Sequence, residues 1–162
     1  MTTAATQAQD CPLCTGAGGL PVWNGRWMRL IRAEEALHPA TYRLVWQTHA
    51  AEFTDLDPLQ RGVCMDAVAL VEREMRTALG AHKINLASLG NVVPHLHWHL
   101  VARWNWDAHW PQPVWAPPQR EADVARVDAL RAALPALDAR LHTALRARFA
   151  PLPEAAEGSD HS

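Results

Sequence analysis

The 162-residue sequence contains no uninterrupted apolar run of roughly 18 residues, so no segment reads as a membrane-spanning helix. Met1 to Asp10 is polar and alanine-rich, without the basic start and apolar stretch of a secretory signal. A cytoplasmic protein is expected. Cysteine is scarce: Cys11, Cys14 and Cys64 cannot all pair within one chain, which suits a reducing compartment better than a disulfide framework. Positive charge is not in excess, and a formal net charge of −2 provides no global field to hold a phosphate backbone. Nucleic acid is therefore not expected as the main partner. No internal repeat is visible, and Leu79 to Arg103 contains neither Asp nor Glu.

Hydrophobic residues make up 49% and charged residues 20%, the balance of a chain that folds around one core. Residues 1–10 read as a flexible arm, 11–118 as the main domain, 119–150 as a helical extension, and 151–162, with Pro, Gly, Ser and acidic residues, as a disordered tail. Two short strands are expected in Trp23 to Ile31 around Asn24-Gly25, a dipeptide that favours a tight hairpin turn. Tyr42 to Gln47 is rich in β-formers and makes a third strand. Asp57-Pro58 supplies a cap and a first helical residue, with Leu59, Val63, Ala67, Leu70, Val71 and Met75 at helical spacing and Gly80 as the stop. Lys83 to Leu89 and His95 to Arg103 read as two further strands. Asp107 to Pro118 carries four prolines and reads as an ordered aromatic-proline loop. Val127, Leu130, Leu134, Leu137, Leu141 and Leu145 mark a C-terminal helix, bent or broken near Pro135. Strands that pair locally point to an α+β fold with an antiparallel sheet.

The chemistry concentrates in His95-Leu96-His97-Trp98-His99. Side chains alternate along a strand, so the three imidazoles are expected on one face, roughly 6.5–7 Å apart, and Leu96, Trp98 and Leu100 on the other. A lone histidine there would be a hydrogen-bonded structural residue. Three in alternation are costly to bury unless each finds partners, and that favours function. Imidazole can attack phosphorus and form a phosphoramidate that water later cleaves, splitting one hard displacement into two. Its ordinary pKa near 6.5 leaves neutral base available, provided its other nitrogen keeps a proton that is held in place. Alternatively, His-x-His on a strand presents two nitrogens to a metal ion, giving a metal-dependent hydrolase that uses His95, His97 and, as nearest carboxylate, Asp107.

The stretch Lys83-Ile84-Asn85-Leu86-Ala87-Ser88-Leu89-Gly90-Asn91-Val92-Val93-Pro94-His95-Leu96-His97-Trp98-His99-Leu100-Val101 resembles the histidine triad (HIT) family. The mark of that family is His-φ-His-φ-His-φ-φ, with φ apolar. The likeness extends from about Cys11 to Trp115, and Asp107 to Trp115 looks like the tail of a bacterial branch. It implies a HIT-like five-stranded antiparallel sheet with a packed helix, here with an additional C-terminal helix, and a homodimer. It also implies hydrolysis or transfer of nucleoside monophosphates from dinucleoside polyphosphates, phosphoramidates or related nucleotides, with no metal required for catalysis. By position, His97 would be the nucleophile, His95 would orient it, and His99 and Asn85 would contact the phosphate and leaving group. Gly90 would allow close backbone approach, with Asn91 and Val92 beside the substrate. Val92 stands where many members have a phosphate-binding Ser or Thr, and Tyr42 where many carry a further His, so His38 or His49 would have to supply that helper. Both departures leave room for a catalytically weak nucleotide-binding protein.

Cys11-Pro12-Leu13-Cys14 has the spacing of half a structural zinc site, which His49 or His95 could complete. It reads equally as two free thiols near a terminus. His109 is expected on the loop surface, or within reach of the triad as a proton donor. Arg103 is expected to face phosphate. Trp104, Trp106, Trp110 and Trp115 fit either base stacking or packing between subunits, and Cys64 reads as a small buried apolar residue.

Overall fold

The structure is a computed structural model that describes residues 8–150, so most of the expected arm and all of the expected tail lie outside the described residues. Five strands, β1 (Leu20–Asn24), β2 (Met28–Arg32), β3 (Thr41–Trp46), β4 (Lys83–Ala87) and β5 (His97–Arg103), form one sheet in the order β1-β2-β3-β5-β4. Every neighbouring pair is antiparallel, as expected. The β1–β2 hairpin turns over three residues, 25–27, rather than two, and a Cβ on Gly25 would fall 2.2 Å from the Trp23 ring, so only glycine fits beneath that indole.

The helices α2 (Pro58–Leu79) and α3 (Val124–Phe149) cover one face. Leu30, Tyr42, Leu44, Leu100 and Ala102 point from the sheet into a core shared with Val68, Val71 and Met75 of α2 and Leu134, Leu137, Leu141 and Leu145 of α3. Asp57 Oδ1 accepts a hydrogen bond from the Gln60 N–H, Gln60 Oε1 accepts one from the Asp57 N–H, and Gly80 ends the helix at φ +58°. The break expected near Pro135 does not occur: α3 continues through it to Phe149, with buried leucines on both sides keeping it seated on the sheet. Burying each such leucine contributes about 1.5–3 kcal/mol, on the scale of the cost of a helical proline, about 3 kcal/mol. Asp138 secures the helix, accepting from the Tyr42 hydroxyl at 2.7 Å and from Arg32 Nε at 3.1 Å. Cys64 is buried on α2, where burial raises its thiol pKa to about 11.

The opposite face is open in that neither long helix covers it, although Ile31, Val45, Val101 and Arg103 on it are buried. A single turn, α1 (Pro12–Thr15), lies there, with Cys11 and Leu13 packed on Ile31 and Val45. No helix of the described residues is long and apolar enough to cross a membrane.

Candidate active site

Strand β5 lies between β3 and β4, and its pairing puts Val45 opposite His97 and Arg43 opposite His99. Trp98 and Leu100 face the helices, so His97 and His99 project from the open face with ring centroids 4.8 Å apart. His97 Nδ1 lies 2.6 Å from the His95 carbonyl oxygen. A carbonyl only accepts, so the proton sits on Nδ1 and the Nε2 lone pair remains available. Burial, followed by the electrostatic influence of the His97 ring and the Arg43 guanidinium, lowers the His99 pKa to about 4, which keeps that ring neutral at physiological pH.

The first histidine departs from the expected row. Regular strand begins at His97, and the His95 ring turns away from its two successors into a different cluster. Its Nδ1 is 3.4 Å from both Cys11 Sγ and Cys14 Sγ, and Cys14 Sγ is 3.4 Å from His49 Nδ1. The four ligating atoms lie within 4.8 Å of one another. Tetrahedral zinc with ordinary S and N bond lengths would hold neighbouring S and N ligands about 3.5 Å apart, so the group is spaced to hold a metal ion. His95 Nε2 lies 2.6 Å from the Trp46 carbonyl oxygen, which places its proton there and frees Nδ1 for ligation. His95 therefore steadies His97 through its backbone carbonyl rather than its ring.

On the β4 side of His99 an open cleft of about 440 Å³ is lined by Asn85, Ala87, His99, Pro111, Val114 and Trp115. Trp115 stands edge-on to His99 with ring centroids 5.6 Å apart, whereas Trp104 and Trp106 stack on each other away from the histidines. Asn85 Oδ1 accepts from Arg103 Nη1 at 2.7 Å, which leaves the amide NH₂ as the end free to donate. Gly90 has φ +80°, and a Cβ there would make only ordinary contacts with the Val93 carbonyl at 3.7 Å and Pro94 Cα at 3.9 Å, so that position needs glycine for its backbone conformation rather than for close approach. Asn91 and Val92 are exposed, Val92 at 93%, and neither lines the cleft.

Arg103 is not free to meet phosphate. Only 1% exposed, it donates to both carboxylate oxygens of Asp107, at 2.8 and 3.0 Å, and to the Gln112 carbonyl at 2.8 Å. Burial disfavours ionised Asp107, but the Arg103 hydrogen bonds and the Trp104 and His109 N–H groups outweigh it and hold the carboxyl below its usual pKa. His109 is neither on the surface nor at the triad. Its Nδ1 is 2.8 Å from His38 Nε2, and burial lowers the His38 pKa to about 4. Although His38, Asp107 and His109 cluster within 4.8 Å, 2.8 Å is a hydrogen-bond distance, shorter than the roughly 3.3 Å between nitrogens on one tetrahedral metal. Asp107 already accepts four hydrogen bonds, so this trio is a polar network and not a metal site.

These placements remove the expected metal-hydrolase constellation, because Asp107 is spent on Arg103 and His97 belongs to no metal-spaced cluster among the described residues. They also locate the expected helper imidazoles elsewhere: Tyr42 faces the helices, His38 pairs with His109, and His49 joins the cysteines. The register also sets beside His99 a residue the sequence reading does not single out, Arg43. Its signal was an arginine within an apolar strand, Tyr42-Arg43-Leu44-Val45-Trp46.

The family model described as HIT domain matches residues 27–105, and no curated protein matches the chain. Among solved structures, a histidine triad protein from Bradyrhizobium japonicum is 32% identical, with 74% of this chain and 90% of that chain covered and a TM-score of 0.60. One from Marinobacter aquaeolei is 25% identical, covering 84% and 99%, with a TM-score of 0.64. A Zn-bound family protein from Mycobacterium smegmatis is 23% identical, covering 81% and 97%, with a TM-score of 0.53. With the sheet order, the His97–His99 face and these likenesses in agreement, the chain belongs to the histidine triad, or HIT, family.

Proposed function

We propose that the protein hydrolyses or transfers a nucleoside monophosphate from a dinucleoside polyphosphate or a nucleoside phosphoramidate through a covalent nucleotidyl-His97 intermediate. Membership in the HIT family establishes nucleotide-phosphate chemistry in general. The finer reading rests above all on the 2.6 Å contact between His97 Nδ1 and the His95 carbonyl, which readies Nε2 as a nucleophile without a carboxylate.

In the proposed cycle, Nε2 attacks the nucleotide phosphorus, an N–P bond forms, and the bond to the leaving group breaks. The leaving group departs with the electron pair and takes up a proton. Water, or another acceptor in the transfer case, then attacks phosphorus, the N–P electrons return to His97, and the proton lost by the attacking water passes to solvent and balances the one the leaving group took up. Asn85, through its NH₂, and neutral His99 would donate hydrogen bonds to phosphate oxygens. The absence of acidic residues from Leu79 to Arg103 spares the anionic substrate like-charge repulsion.

The same proposal makes the Cys11, Cys14, His49 and His95 cluster a structural zinc site that ties α1 to the ends of β3 and β5. Zinc there would hold the backbone that carries the His95 carbonyl. The catalytic unit is assigned to residues 11–118, in a cytoplasmic homodimer. The outer edge of β4 and exposed Leu86 and Leu89 supply an unpaired strand and apolar surface suited to a second copy.

Rapid quenching with a labelled dinucleoside polyphosphate or adenosine phosphoramidate tests the chemistry. Acid-labile label on the protein is expected, absent in His97→Ala. A His97→Ala protein that labels and turns over like wild type sinks the mechanism. Tight binding without product over hours would instead mark a nucleotide-binding protein that lacks turnover.

A further inference from the structure

Arginines on the open face and its edges fall into two groups by how their donors are used. Arg29 donates to the Leu13 carbonyl at 2.6 Å and to Gln47 at 3.3 Å, anchoring the turn that carries the cysteines. Arg103 is spent on Asp107, Asn85 and Gln112. Arg43 differs. Its Nε–H is buried without a hydrogen-bond partner, and its Nη2 meets Glu35 Oε1 at 3.3 Å, where the carboxylate is 49% exposed. The guanidinium offers five donors in a planar fork that suits phosphate.

Its position explains what that fork could meet. Arg43 pairs directly with His99 across β3 and β5, a relation that puts Cβ atoms about 4.5–5.5 Å apart on one face. Ile31 and Val45, its neighbours on β2 and β3, share the face and offer it no hydrogen-bonding group. Asn85 and the cleft flank His99 on the β4 side, and Arg43 flanks it on the β3 side. An anion beside His97 and His99 would satisfy the buried Nε–H and displace the weak Glu35 contact.

We infer that Arg43 is a substrate-binding residue of this site, taking through Nε–H and an Nη–H the oxygens of a second anionic group next to the phosphorus that His97 attacks. The inference rests on the nucleotidyl-transfer reading and deepens it. Arg43 would favour substrates with a phosphoanhydride over those whose reacting phosphate carries a neutral neighbour.

Equilibrium binding of inorganic pyrophosphate and orthophosphate to the full chain tests this without needing turnover. Wild type is expected to bind pyrophosphate more tightly, and Arg43→Gln to weaken it about tenfold or more while changing orthophosphate less than about threefold. Arg43→Lys keeps the charge but not the fork, and is expected within about threefold of the Gln variant. Glu35→Gln removes the competing carboxylate and is expected to tighten pyrophosphate. Equal affinity of wild type for the two anions, equal losses of both in Arg43→Gln, or full rescue by Lys overturns the inference. Labelling of His97 in the same preparations is a separate readout: its failure in wild type sinks the transfer chemistry and leaves the anion comparison to decide Arg43.

Discussion

His95 and His97 are two residues apart, yet one is fully buried among thiols and the other, 8% exposed, lies beside His99 outside any metal-spaced cluster of the described residues. The difference follows from what each ring meets. His95 finds two sulfur atoms and the Trp46 carbonyl, partners that select a neutral ring with its lone pair turned to a metal-sized gap. His97 meets the His95 carbonyl through Nδ1 and the His99 ring beside it, which leaves Nε2 without a hydrogen-bond partner among the described residues. On the proposed function, identical side chains take structural and chemical roles through the hydrogen bond each makes on its other nitrogen. Part of the second role depends on the first, since the carbonyl that orients His97 belongs to the residue clasped by the cysteines.

The largest effect that sharpens this contrast is expected from His97→Ala, which should lower kcat at least about a thousandfold with little change in thermal stability. Comparable loss of melting temperature would place His97 with the structural half. Asp107→Asn leaves the buried Arg103 without its counter-charge and should destabilise by about 3–5 kcal/mol in denaturant titrations. A loss below about 1 kcal/mol, the size of an exposed pair, would mean the network does not organise the cleft.

Metal removal addresses the other half. Chelation should lower the melting temperature by on the order of 10 °C, and Cys14→Ser should reproduce the loss and abolish further response to chelator. A chelator-insensitive wild type would separate the thiol cluster from metal binding. The smallest effect is a pH slope. Because His38 has its pKa lowered from 6.5 to about 4, the unfolded chain binds a proton there that the folded chain refuses. This contribution to stability is present above about pH 6.5 and is lost as pH falls toward 4. His38→Asn should therefore show a stability slope shallower by up to about 1.4 kcal/mol per pH unit in that window. An unchanged slope would remove the His38–His109 pair from the pH response.

What was legible in the sequence was written in local spacing. Asp57, Pro58 and Gly80 delimit α2 because caps act within one turn, and alternation assigned Trp98 and Leu100 to the core opposite His97 and His99. The turning of His95 was not legible, because it is decided by Cys11 and Cys14, more than 80 positions away. Arg103 looked like a phosphate ligand from its place beside the triad, but its burial depends on how Asp107 and Gln112 fold back over it. His109 was misjudged for the same reason: its partner His38 lies 71 residues earlier. Local propensity at Pro135 points to a bent or broken helix, and the leucines that hold α3 on the sheet keep it continuous.

The most direct test of the contrast is to quench the enzyme during turnover of a labelled nucleotide and map the adduct by peptide mass spectrometry. The account predicts one nucleoside monophosphate on the peptide bearing the triad, bonded to His97 and not to His95 or His99. An adduct on another residue, or steady turnover with none trapped at any time, would contradict it.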